Sequence, residues 1–255
     1  MSDQSDNLSL FASTEFDYSS RSDQGLEESP VPQMPEFQIL QPQNPAREDA
    51  ASPLYGAESG QIFNRTSKAL YASIEICPCY VRQIWRVFDG KRGKKRVYLY
   101  TASERPANFR FTPEDGLTDS MGRSADPAIT VFGLHLMDGR AVSPCMIRFT
   151  STSLNTGREI VALLNKAVAA PGTGKYYRPP AFAHTIILAT QRQQKDVVVW
   201  YTWTLDPAQY WVNPRDPLYT TAGAAVTQFR RAINAQLTDR DDKSSPETVD
   251  DDIPF

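Results

Sequence analysis

The sequence predicts a mainly β fold with helices, a barrel-like body held between two acidic, disordered arms. Two observations predict it. Short runs of alternating apolar and polar residues recur and pair across turn signals, whereas helical spacing is confined to two segments. Charge is also partitioned. The 255-residue chain has a net charge of −3, but residues 1–50 hold ten acids and two bases, and residues 239–255 hold seven acids and two bases. The stretch between them, 51–238, therefore carries +10, with 23 bases and 13 acids. A body of that charge attracts polyanions, and the arms compete for the same surface.

Residues 1–50 form the first arm, and its residues 1–36 are rich in Ser, Asp, Gln and Pro with no sustained period. Within it Phe37, Ile39 and Leu40 make a short apolar patch, readable either as a strand that docks on the body or as a sticky point in a linker. The body spans 51–238. Residues 71–77 alternate as a strand that Pro78 is expected to break, and 80–88 resume it. Asp89-Gly90 turns the chain into 96–101, which gives a first hairpin. Residues 102–126 carry turn formers and read as a loop. A second hairpin, 128–137 with 140–150, turns on Asp138-Gly139, the strongest short turn signal in the chain.

A helix follows, with Thr156-Gly157-Arg158-Glu159 fitting a capping box and Ile160, Leu163, Leu164, Ala167 and Val168 at helical spacing. A third hairpin, 182–190 with 197–205, and a last helix over about 220–237 complete the body. Two hairpins, a helix and a hairpin are the order of an OB-fold, which places its helix between the third and fourth strands and binds oligonucleotides on one sheet face. One strand is left over in that match, and an unrelated small barrel or an α+β sheet gives a similar string.

In the first hairpin, alternation puts Val81, Trp85 and Val87 on one face. Tyr80, Arg82, Ile84, Arg86 and Phe88 take the other, joined by Arg96, Tyr98 and Tyr100. Cations interleaved with aromatics suit single-stranded nucleic acid: guanidinium groups take phosphates and rings stack bases. The alternative is a strand buried on both sides. The turn adds Lys91, Arg92, Lys94 and Lys95, readable as a binding loop or a solvated tip. Trp200 is a further stacking candidate, set against packing under a helix. Tyr176, Tyr177 and Arg178 are a third region of contact.

The chain ends Asp250-Asp251-Asp252-Ile253-Pro254-Phe255. Three carboxylates precede an apolar plug that Pro254 keeps extended, a form suited to a hydrophobic pocket rimmed with Arg or Lys. This tip resembles the acidic C-terminal tip of bacterial single-stranded-DNA-binding proteins. The resemblance covers these six residues and the polar linker before them, and the body does not show the bacterial domain. It implies a bacteriophage or mobile-element version, in the cytoplasm of a bacterial host. It also implies non-specific binding of single-stranded DNA in replication, recombination or repair, and capture of host replication and repair proteins by the tip. Oligomeric state stays open, homo-oligomers included.

Other classes fare less well. Pro171-Gly172-Thr173-Gly174-Lys175 lacks two positions of a phosphate loop, because Ala169 stands for Gly and Tyr176 for Ser or Thr. Cys77 and Cys79 have no second close pair for zinc, and the odd cysteine count of three points to a reducing compartment. Glu114, Asp115, Asp119 and Asp126 read as a solvated loop, with a two-metal nuclease as the rival reading. No cofactor, no catalytic residue and no membrane span are expected.

Overall fold

A computed structural model describes residues 34–91, 96–169, 175–206 and 210–241, with the backbone alone for residues 210 and 232–241. Among the described residues fourteen strands form in chain order. They are β1 (Glu36–Ile39), β2 (Ile62–Asn64), β3 (Leu70–Tyr71), β4 (Ile74–Asp89), β5 (Val97–Ala102), β6 (Arg110–Thr112) and β7 (Gly116–Thr118), then β8 (Ser124–Met137) and β9 (Arg140–Thr150). The last five are β10 (Val168–Ala169), β11 (Tyr176–Tyr177), β12 (His184–Lys195), β13 (Val198–Leu205) and β14 (Tyr210–Trp211). Two α-helices, α1 (Leu154–Leu164) and α2 (Pro217–Asp241), accompany them. The mainly β body expected from the sequence is what forms.

The main sheet runs β13-β12-β4-β8-β9-β1-β2-β3, antiparallel except where β1 lies parallel to β9. Within it β4, β8 and β9 make a meander, α1 follows, and β12–β13 return as a hairpin on the other edge of β4. That is the strand and helix order of an OB-like barrel, and β5 is the strand left over, pairing only the far end of β4. The sheet curls into a half-barrel. Its concave core draws Phe37, Ile62, Ile76, Val131, Ile147, Ile186 and Trp203 from seven strands, with Ile160 and Leu164 from α1. Helix α1 approaches closely because residue 157 is glycine: a Cβ there would meet Phe149 Cβ at 2.9 Å. On the convex face α2 packs Ala222, Ala225 and Phe229 over Cys77, Cys79, Phe132 and Leu134.

Several local expectations change under tertiary constraint. Phe37 and Leu40 are buried and β1 sits in the sheet, the docked-strand reading of that patch. The segment after β1 closes the half-barrel: the Gln41 side chain donates to the Tyr201 carbonyl at 2.8 Å and accepts from Tyr201 N–H at 2.9 Å. An amide thus replaces a neighbouring strand at the β13 edge. Pro78 does not break β4. Its missing N–H falls where β12 pairing has already ended at Ile76, and a bulge between Pro78 and Tyr80 absorbs it. Thr156 is no N-cap either. It lies inside α1 and its hydroxyl donates to the Trp203 carbonyl at 2.7 Å, so a buried tertiary bond replaces the cap. Residues 102–126, expected as a loop, contain β6 and β7 and bury Phe109 and Leu117 against Val87 and Ala125.

The Asp138-Gly139 turn forms as expected, both residues at positive φ, as its two-residue hairpin requires. Among the described residues no helix is long and apolar enough to cross a membrane.

Candidate nucleic-acid interface

Antiparallel partners directly opposite one another share a face with Cβ atoms about 4.5–5.5 Å apart. The ladders therefore lay the convex face out in rows across β4, β8 and β9. Tyr80, Phe132 and Met146 form one row, and Arg82, Thr130 and Arg148 the next. Ile84 and Ala128 follow, then Arg86 opposite Asp126. The first row lies within the core under α2, where Phe132 and Phe229 rings are 6.2 Å apart.

Around Arg86 the interleaving of cations and rings is consumed internally. Arg86 and Tyr98 are buried, at 6% and 9% exposure. The Arg86 and Arg96 guanidiniums lie 4.9 and 4.3 Å from the Phe88 ring centroid, and Arg86 also reaches Tyr98 at 5.8 Å. Arg96 closes the group with a 2.7 Å bond to Asp126. The Tyr98 hydroxyl is 2.7 Å from that of Thr101. Tyr100 does not share this face. Val87 pairs with Tyr100 but Phe88 pairs with Tyr98, so a bulge at Leu99 turns Tyr100 to the opposite side, exposed. Two-residue alternation cannot anticipate an inserted residue.

The remaining expected contacts scatter. Lys91 is exposed and bonded to Asp115 at 2.8 Å, a contact that raises its pKa. Arg92, Lys94, Lys95 and the tip Asp250, Asp251, Asp252, Ile253, Pro254 and Phe255 lie outside the described residues. Trp200 is half-buried opposite Gln193 on β12, and its Nε1 is buried without a hydrogen-bond partner among the described residues.

Beside Tyr80 the surface opens into a cleft of about 470 Å³. It is bounded by Cys79, Tyr80, Val81 and Gln83 of β4, the end of α1 at Leu164 and Asn165, the segment Arg178–Phe182, and Val226 and Arg230 of α2. The Arg230 guanidinium stands 5.7 Å from the Tyr80 centroid. Among the described residues the stretch of β4 at the cleft has no strand partner on one edge, because β12 pairing ends at Ile76 and β5 pairing begins at Trp85. Two aromatic rings and two guanidiniums thus converge one row from Arg82. The sequence reading named Arg178 only as an outlying contact and missed Arg230 and Arg148. Alternation did mark Arg148, since Cys145, Ile147 and Phe149 are its buried counterparts on β9. For Arg230 no local signal exists, because its place over Tyr80 depends on how α2 docks.

In the second row Arg82 makes no hydrogen bond or ion pair among the described residues. Arg148 Nη1 is 3.4 Å from Glu36, and Arg65 neutralises the same carboxylate at 3.6 Å. Thr130 Oγ1 and Arg148 Nε are buried and unpartnered among the described residues. Each such orphan costs about 1–3 kcal/mol.

The catalytic alternatives gain no geometry. Asp115 pairs with Lys91, Asp119 with Arg123 at 2.6 Å, and Asp126 with Arg96, so these carboxylates are held apart by separate cations. No group of three metal-ligating side chains occurs among the described residues. All three thiols are buried, and burial pushes the Cys145 thiol up. His135, ringed by Phe37 and Tyr71 at 5.0 and 5.2 Å, and His184 are both pushed below the usual imidazole range by burial.

A family model described as Pam3 phage gp34-like protein matches residues 7–233. The chain belongs to that family and is a phage protein. No curated protein and no solved structure matches it.

Proposed function

We propose that this phage protein binds single-stranded DNA without sequence specificity, in replication, recombination or repair, and recruits host proteins through its acidic C-terminal tip. The observation that carries the reading is the meeting of Tyr80, Phe182, Arg178 and Arg230 in one cleft, one row from Arg82 on the convex face. Flat rings offer stacking to any base and guanidiniums offer charge to phosphates, the pairing that sequence-tolerant single-strand binding uses. The +10 body supplies the long-range attraction. The tip, Asp250 to Phe255, supports the second half through its resemblance to the bacterial tip and its form, an anion-flanked terminal aromatic. The role is one of binding rather than catalysis.

Anisotropy titration of a labelled oligothymidylate over a range of salt tests it. The expected result is binding whose log affinity falls with log salt at about 0.7 per neutralised phosphate, with little change on replacing the bases. A protein that leaves the oligonucleotide free at low salt ends the DNA reading. In the same preparation Phe255→Ala is expected to leave DNA affinity unchanged and abolish capture of host enzymes.

A further inference from the structure

We propose that Arg82, Thr130 and Arg148 form a phosphoryl-oxyanion site on the convex face, with the Thr130 hydroxyl as its inner donor. The argument begins with what surrounds that hydroxyl. Thr130 is 3% exposed and its Oγ1 has no partner among the described residues. Its neighbours on that face are Arg82 and Arg148 across the ladders and Phe132 and Ala128 along β8. Rings and methyls offer no hydrogen bond, and guanidinium groups only donate. A guanidinium N–H can donate to the Thr130 oxygen, but the hydroxyl hydrogen and Arg148 Nε–H both call for acceptors, which one group carrying several oxygens supplies at once.

Charge selects among acceptors. Arg148 and Arg65 share the single carboxylate of Glu36, and Arg82 meets no carboxylate among the described residues, so this group of three guanidiniums keeps a surplus of two positive charges. Glu36, itself 6% exposed, holds Arg148 by one terminal nitrogen and leaves Nε turned to other work. A fork of N–H donors beside a hydroxyl matches the oxygens of a phosphate better than any neutral group. On the DNA reading, on which only the source of the phosphate rests, the occupant is a backbone phosphate of the strand whose base enters the cleft beside Tyr80. One row separates the two positions on the same face.

Thr130→Val carries the test, because it removes the hydroxyl, keeps the shape and breaks no bond among the described residues. Thermal unfolding is followed in inorganic phosphate and in chloride at matched ionic strength. Wild type is expected to gain Tm in phosphate, Thr130→Ser to keep that gain, and Thr130→Val to lose it with a chloride Tm no lower than wild type. Equal Tm in the two salts for wild type overturns the site, as does a full phosphate gain in Thr130→Val. With oligothymidylate, Thr130→Val is expected to bind about tenfold more weakly at an unchanged salt slope, as loss of one neutral donor to an anion requires. Oligonucleotide binding by wild type together with a full phosphate gain in Thr130→Val removes the site and spares the DNA reading, whereas a Thr130-dependent phosphate gain with unchanged oligonucleotide affinity removes only the DNA backbone as the phosphate source. A Thr130-dependent phosphate gain in a protein that ignores DNA keeps the site and removes that reading.

Discussion

Two stretches of the convex face carry the same kind of sequence and end in opposite physical states. At one end of β4, Arg86 and Phe88 meet Arg96, Tyr98 and Asp126, and every cation there is committed to a ring or a carboxylate. Four residues nearer the start of the strand, Arg82 stands in a row with an orphaned hydroxyl and an orphaned guanidinium nitrogen. What separates them is company. Strand β5 and Asp126 supply acceptors and aromatic faces to Arg86 and Arg96, whereas one edge of β4 from Cys77 to Ile84 has no partner strand among the described residues and opens on the cleft. An Arg-aromatic alternation is thus a building material with two uses, and only the neighbouring strand decides between cement and contact surface.

The largest effect that could break this contrast is on stability. Phe88→Ala removes the ring under both guanidiniums and is expected to cost about 3–5 kcal/mol, read by urea denaturation. Oligonucleotide affinity per folded molecule should stay near wild type; a large loss of affinity would return the binding site to the β4–β5 end. Next comes Tyr80→Ala, expected to weaken binding by about 1–3 kcal/mol with no change in salt slope, while Arg82→Gln lowers that slope by about 0.7. If both variants bind like wild type, the open region is not the interface. The smallest change sharpens the bulge. Tyr100→Ala, on the opposite side from Phe88, should alter affinity by less than about 0.5 kcal/mol, the usual range for a surface substitution away from special features. A loss comparable to Tyr80→Ala would mean that both sides of the hairpin touch the strand.

Local chemistry alone determined a good part of this molecule. The Asp138-Gly139 hairpin, the alternation of β8 and β9, the helical spacing of Ile160 and Leu164, and the charge contrast between arms and body all rest on adjacent residues. Each follows from backbone preference or from the period of the element, so neighbours in the chain suffice to specify it. Tertiary structure decided the rest. Pro78 stays within a strand because β12 has left it, and Thr156 sits inside α1 because the Trp203 carbonyl needs a donor. Residues 36–40 join the body because β9 and the Tyr201 backbone offered unpaired edges. Arg96 is held by Asp126, 30 residues further on, and Tyr80 is covered by Arg230 of α2. Hydrogen-bond and charge partners are satisfied across space, and a period along one strand carries no record of what the next strand brings.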